Sequence, residues 1–140
     1  MVFVDTGFLV ALADPRDELD SRAVRWANQT HECRLVTDWV LVETMNLLSR
    51  PAERAKAHAL LKLVRTSPDW LVIPANADAF ESGVRLHRER EDKSWSLTDC
   101  LSFAAMEQHG VRTALAYDGH FEQAGFKALL RYPPESSLET

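Results

Sequence analysis

The sequence predicts an α/β domain with a mainly parallel central sheet. Three observations carry the prediction. Short apolar runs of strand length recur along the chain, among them VFV at 2–4, RLVT at 34–37 and WLVIP at 70–74. Between them stand segments whose apolar residues follow helical spacing. That alternation favours helices packed on a parallel sheet. The chain also has 140 residues, which suits one domain and asks for no second. Residues 1–132 are expected to form that domain, and 133–140, PPESSLET, a frayed tail.

Taken in order, Val2–Val4 is a short buried strand, and 8–13 a short helix ended by Asp14-Pro15. Residues 18–31 place Leu19, Ala23, Trp26 and Ala27 on one helical stripe. Residues 34–37 form the second strand. DWVLVETMNLLSR (38–50) is a helix stopped before Pro51, because the residue preceding a proline is pushed out of helical backbone. A further helix covers 52–66, with Leu60, Leu61 and Val64 facing inward. The third strand is 70–74, followed by helices over 77–91 and 96–110. Gly110 is placed to stop the second of these. RTALAY (112–117) is a strand of small residues, and KALLRY (127–132) a candidate last strand.

Composition sets limits on function. A domain of this length buries roughly 70% of its unfolded surface, so it needs no disulfide or structural metal for a core. Two cysteines, Cys33 and Cys100, stand outside any C-x-x-C pair, which favours a reducing cytoplasm. No basic stretch followed by a long apolar run opens the chain, so no signal peptide is expected, and no apolar run reaches membrane-spanning length. The net charge of −5 argues against nucleic-acid binding by bulk attraction. Basic residues are nonetheless concentrated locally, with Arg50, Arg54, Lys56, Lys62 and Arg65 set against the single acid Glu53. Such a run is either a solvated helix face or a surface for phosphates.

Four acids raise a sharper question. Asp5 ends the first strand, and Asp118 ends the strand at 112–117. Glu43 lies in a helix that is apolar nearly all round, where a charge is costly unless paired or coordinated. Asp99 lies in the first turn of its helix. Each has an ordinary explanation. Asp5 could cap a helix, and Glu43 could meet an arginine. Asp99 completes the S-x-x-D pattern of a capping box with Ser96. Asp118-Gly119 suits a turn. Their placement points elsewhere, because ligands of open α/β sheets bind beyond the carboxyl ends of the strands. Two carboxylates about 4 Å apart repel by roughly 4 kcal/mol at an effective dielectric near 20. Four converging on one rim therefore call for a hard divalent cation such as Mg²⁺ or Mn²⁺.

The segments VFVDTGFL, TDWVLVETMNLL, DKSWSLTDCLSFAAM and LAYDGHFEQAGF, in this order over residues 2–126, resemble the PIN domain family, and within it the small VapC-like toxins of type II toxin–antitoxin pairs. The resemblance implies a three-layer α/β/α domain, an acidic Mg²⁺ or Mn²⁺ site and endoribonuclease activity. It implies hydrolysis of an RNA phosphodiester by metal-bound water, leaving a 5′-phosphate. Asp5, Glu43, Asp99 and Asp118 match the family's acidic quartet, with Asp5 and Asp99 as principal ligands. Glu43 and Asp118 match positions that act through water or hold a second ion. Thr6 and Thr98 match supporting hydroxyls. A homodimer and a cognate antitoxin are implied as partners. Gly7 and Ala116 depart from the family pattern, standing where many relatives carry hydrogen-bonding side chains.

Outside the quartet, Arg50, Arg54, Lys56 and His120 are candidate RNA contacts, while Asp92 and Lys93 read as surface ion-pair residues. A catalytically inactive scaffold that binds RNA or protein is the alternative to a ribonuclease. A D-x-D phosphatase is disfavoured, since position 7 is Gly. A DNA nuclease would use the same metal chemistry.

Overall fold

The computed structural model describes residues 1–134, so most of the expected tail lies outside the described residues. Five strands, β1 (Val2–Val4), β2 (Arg34–Thr37), β3 (Trp70–Ile73), β4 (Thr113–Leu115) and β5 (Lys127–Ala128), form one sheet in the order β3-β2-β1-β4-β5. Every neighbouring pair is parallel. Among the described residues, seven α-helices connect and cover them as a three-layer α/β/α domain. They are α1 (Thr6–Ala13), α2 (Asp20–Gln29), α3 (Asp38–Leu47), α4 (Pro51–Thr66), α5 (Ala77–Glu89), α6 (Leu97–Gln108) and α7 (Gly119–Gln123).

The central strand β1 is wholly buried, as its three consecutive apolar residues require when both sheet faces are covered. The chain runs from β1 out to β3 on one side, and β4 and β5 lie on the other. The strand order therefore reverses between β1 and β4, where α/β sheets open a crevice for ligands.

Local chemistry sets most boundaries. Thr37 caps α3 by accepting the Val40 N–H at 3.2 Å, and Asn76 caps α5 by accepting the Ala79 N–H at 2.8 Å. Pro51 occupies the first turn of α4, where its missing N–H costs nothing. Gly110 adopts a φ of 66° after α6, and the Val111 N–H closes back on the Met106 carbonyl at 2.9 Å. Val64 is buried, while Leu60 and Leu61 pack against the core from its edge.

Three expectations change. The segment 127–132 is not one strand: β5 has two residues, and Leu129–Arg131 forms a 3₁₀ turn. The reason is the fully buried Leu130, whose N–H bonds the Ala116 carbonyl at 3.0 Å and folds the chain over the end of β4. Asp118-Gly119 begins helix α7, where the sequence suggested only a turn. Third, α3 is not buried all round, since Val42 and Leu47 are 57% and 60% exposed.

Helices α5 and α6 approach closely at Gly83. A Cβ built there would lie 2.5 Å from Leu101 Cδ2 and 3.1 Å from the Leu101 Cα. The side chain can move, but the backbone cannot. Gly83→Ala is expected to destabilise the fold by about 1–3 kcal/mol through overpacking, despite alanine's better helix propensity. Urea unfolding checks this, and an unchanged midpoint would contradict it.

Candidate active site

The crevice between β1 and β4 receives side chains from four elements. Asp5 directly follows β1, and its N–H bonds the Leu115 carbonyl of β4 at 3.2 Å, which ties the two strand tips together. Asp118 lies just past β4 and caps α7, accepting the His120 N–H at 2.9 Å. Asp99 stands in the first turn of α6. Its Oδ2 accepts the Ser96 N–H at 3.1 Å, and Ser96 Oγ accepts the Asp99 N–H at 3.0 Å. This is a full capping box. The ordinary reading of Asp99 as a capping residue is thus correct as far as it goes, whereas Asp118 caps a helix in place of the expected turn; both caps hold their carboxylates at the crevice. Glu43 is supplied by α3.

These four acids line one open cavity of about 580 Å³. Among the described residues, no lysine or arginine lines it. Asp5 shows the consequence: its pKa is raised from 3.8 to about 7. Burial is the largest cause, and the charges of Asp99, Glu43 and Asp118 add to it, while the Thr6 backbone N–H pulls the other way. Asp5 makes no side-chain cap bond to α1, so capping does not account for its position. Glu43 makes no ion pair among the described residues, which removes the salt-bridge reading.

The supporting residues divide. Thr6 is buried and lines the cavity, and its Oγ1 has no hydrogen-bond partner. Thr98 does not line the cavity. It lies in a neighbouring groove with Trp39, Val42 and Phe80, because the helical turn that points Asp99 inward points its neighbour sideways. Glu43 borders both spaces. Gly7 lines the cavity with open space where a Cβ would stand, and Ala116 is fully buried.

Of the four candidate RNA contacts, only His120 lies in the cavity. Its Nδ1 is 2.9 Å from Asp99 Oδ2 and 3.4 Å from Asp118 Oδ1. Arg50 and Lys56 line a separate groove of about 550 Å³ together with Arg16. There Arg50 and Arg16 share the buried Glu53, at 2.6 and 2.8 Å. Arg54 donates to the Ser49 carbonyl at 2.6 Å. Asp92 pairs with Arg90 at 3.0 Å, away from the acids. Sequence reasoning missed four polar residues of the cavity, Asp17, Ser94, Ser96 and Tyr117. Asp17 comes from the loop after α1, where nothing in its neighbours marks it. Ser96 was visible only as a cap.

The donor set suits a hard divalent cation. It comprises several converging carboxylates, one of them strained in its ionised form, and a buried hydroxyl without a partner. Asp99, Asp118 and His120 each present a ligand atom within 4.8 Å of the others. Ser96→Ala removes one half of the capping box and is expected to cost about 1 kcal/mol of stability. Differential scanning calorimetry checks it, and an unchanged Tm would argue that the box is not formed in solution.

An acidic crevice at the switch point of a parallel three-layer sheet places the chain among α/β domains with a carboxylate-lined site. The chain belongs to the PIN domain family, which it matches over residues 2–127, and to its VapC-like toxins. It is 34% identical over 127 residues to the 23S rRNA-specific endonuclease VapC20 of Mycobacterium tuberculosis, covering 90% of this chain and 95% of that one. The crystal structure of VapC20, described as a sarcin–ricin loop cleaving toxin, matches with a TM-score of 0.85 at 30% identity, over 92% and 98% of the two chains. FitAcB from Neisseria gonorrhoeae shares the fold, with a TM-score of 0.64 at 19% identity over 91% and 95%.

Proposed function

We propose that this protein is a metal-dependent endoribonuclease, the toxin of a type II toxin–antitoxin pair, which hydrolyses RNA at the cavity formed by Asp5, Glu43, Asp99 and Asp118. The observation that carries the reading is the convergence of these acids on one cavity that no lysine or arginine lines. Asp5 and Asp99 would be the principal ligands of Mg²⁺ or Mn²⁺, with Glu43 and Asp118 acting through water or on a second ion. A bound ion would supply a more acidic water and stabilise charge on the phosphoryl oxygens. The chain's own contribution is placement. The capping box fixes Asp99, the bond from the Asp5 N–H to β4 fixes the first acid, and Thr6 offers its hydroxyl beside it. Val10, Leu19 and Leu47 line the same cavity and provide apolar surface for a base or ribose. Arg50, Arg54 and Lys56 would contact RNA phosphates outside it.

The VapC20 relative acts on 23S rRNA, so ribosomal RNA is the first substrate class to test here. A cognate antitoxin and a homodimer complete the proposal. The exposed Val42, Leu47 and Phe80 supply apolar surface for such contacts. Residues 1–132 would act as one domain with 133–140 as its tail. Among the described residues no helix is long and apolar enough to cross a membrane, and Cys33 and Cys100 are unpaired. The proposed site of action is the cytoplasm.

The test is cleavage of naked total RNA and of intact ribosomes by antitoxin-free protein, with Mg²⁺, with Mn²⁺ and with EDTA. Discrete fragments with 5′-phosphate ends, lost on chelation, are expected. Cleavage that persists in EDTA would overturn the mechanism. RNA binding without cleavage under any metal would favour the inactive scaffold.

A further inference from the structure

Resting on the reading of the acidic cavity as a metal centre, we infer that His120 is a ligand of that centre, and that its nitrogen biases the site toward Mn²⁺ over Mg²⁺. His120 stands at the start of α7, and its backbone N–H is held by Asp118 Oδ1 at 2.9 Å. The ring is brought back over the cavity, with Nδ1 2.9 Å from Asp99 Oδ2 and 3.4 Å from Asp118 Oδ1. Donors about 2.1 Å from a shared ion at right angles lie about 3 Å from each other. The observed 2.9 Å spacing is therefore that of two donors sharing one ion as well as that of a hydrogen bond.

Two features separate a ligand from a surface histidine touching RNA. Two carboxylates within 3.4 Å of Nδ1 make a poor receptor for a phosphate unless a cation stands between. The ring is also carried on a fixed support. Its neighbour Phe121 is fully buried, with its ring centroid 5.0 Å from Phe103 and 6.3 Å from Phe3. Gln123 at the end of α7 accepts the Trp95 Nε1–H at 3.0 Å. A ligand held on packed elements is already in place before the ion arrives. Among the described residues no lysine or arginine lines the cavity, and His120 is its one basic side chain. Carboxylate and water suit Mg²⁺ and Mn²⁺ alike, but of the two only Mn²⁺ is a first-row transition ion, the class whose affinity an added imidazole nitrogen raises.

The experiment is pulsed EPR of the Mn²⁺-loaded full chain, with titration calorimetry of Mn²⁺ and Mg²⁺, on wild type, His120→Ala and His120→Asn. Wild type should show ¹⁴N modulation from a coordinated imidazole, absent in both variants. Mn²⁺ affinity should fall about tenfold or more in both, with a much smaller change for Mg²⁺. Asn keeps a hydrogen-bond donor toward Asp99, so recovery of Mn²⁺ affinity in His120→Asn would show a positioning role and overturn the proposal. Mn²⁺ bound to wild type without ¹⁴N coupling would also overturn it, leaving the carboxylate centre standing. Absence of Mn²⁺ and Mg²⁺ binding to wild type would remove both the ligand and the metal centre.

Discussion

Asp99→Asn is expected to slow RNA cleavage about a thousandfold, equivalent to about 4 kcal/mol of lost transition-state stabilisation. The fold should scarcely notice. The substituted amide keeps an oxygen to accept the Ser96 N–H, and Ser96 Oγ still accepts the backbone N–H of position 99. Removal of one negative charge also relieves Asp5, whose ionisation Asp99 opposes. Stability should therefore move by less than about 1 kcal/mol. Asp99→Ala should lose the same activity and about 1 kcal/mol of cap energy besides. Single-turnover cleavage beside urea unfolding separates the two effects. Near-normal cleavage by a well-folded Asp99→Asn protein would rule out the acidic cavity as the catalytic centre.

The metal-free protein is expected to gain stability from Asp5 as the pH falls from about 8 toward 4. Asp5 has a folded value of about 7 against 3.8 for an ordinary Asp, so the folded chain holds this proton more tightly than the unfolded chain does. Its contribution is fully present below 3.8 and is lost as pH rises through 7. The ceiling is about 4 kcal/mol, and water entering the open cavity should reduce the observed change to roughly half of that. Other carboxylates titrate over the same range. The quantity to measure is therefore the difference in unfolding free energy between wild type and Asp5→Asn, in EDTA, from pH 4 to pH 8. Asp5→Asn should be the more stable at pH 8, and its advantage should vanish near pH 4. Saturating Mn²⁺ should reverse the order at pH 8, because the carboxylate holds the ion more tightly than the amide and so gains more from it. A difference that does not vary with pH would show that Asp5 is well solvated and the cavity less enclosed than its geometry indicates.

These expectations rest on residues of very different legibility. Asp5, Glu43, Asp99 and Asp118 stand out in the sequence because each interrupts an apolar segment or ends one. The caps at Ser96 and the stop at Gly110 are equally local, since a helix end is decided by the few residues around it. The helix α7 was not legible. Five residues cannot form a helix alone, and this one exists because Phe121 is packed among Phe3 and Phe103 from distant parts of the chain. The direction of Thr98 was not legible for a related reason. Adjacency to Asp99 in sequence puts it about 100° away around α6, facing Trp39 and Phe80.

By itself, the sequence determined the alternation of strands and helices, the buried character of Val2–Val4 and the identity of the four acids. Those features follow from periodicity and from the cost of placing a charge in an apolar segment, both of which operate over a few residues. Only the tertiary structure decided that β1 lies beside β4. That pairing brings Asp5 and Asp118 together from opposite ends of the chain, turns His120 onto Asp99, admits Asp17 and leaves Arg50 and Lys56 in a different groove. Strand order is set by how all the apolar faces bury one another at once, and no short stretch of residues encodes it.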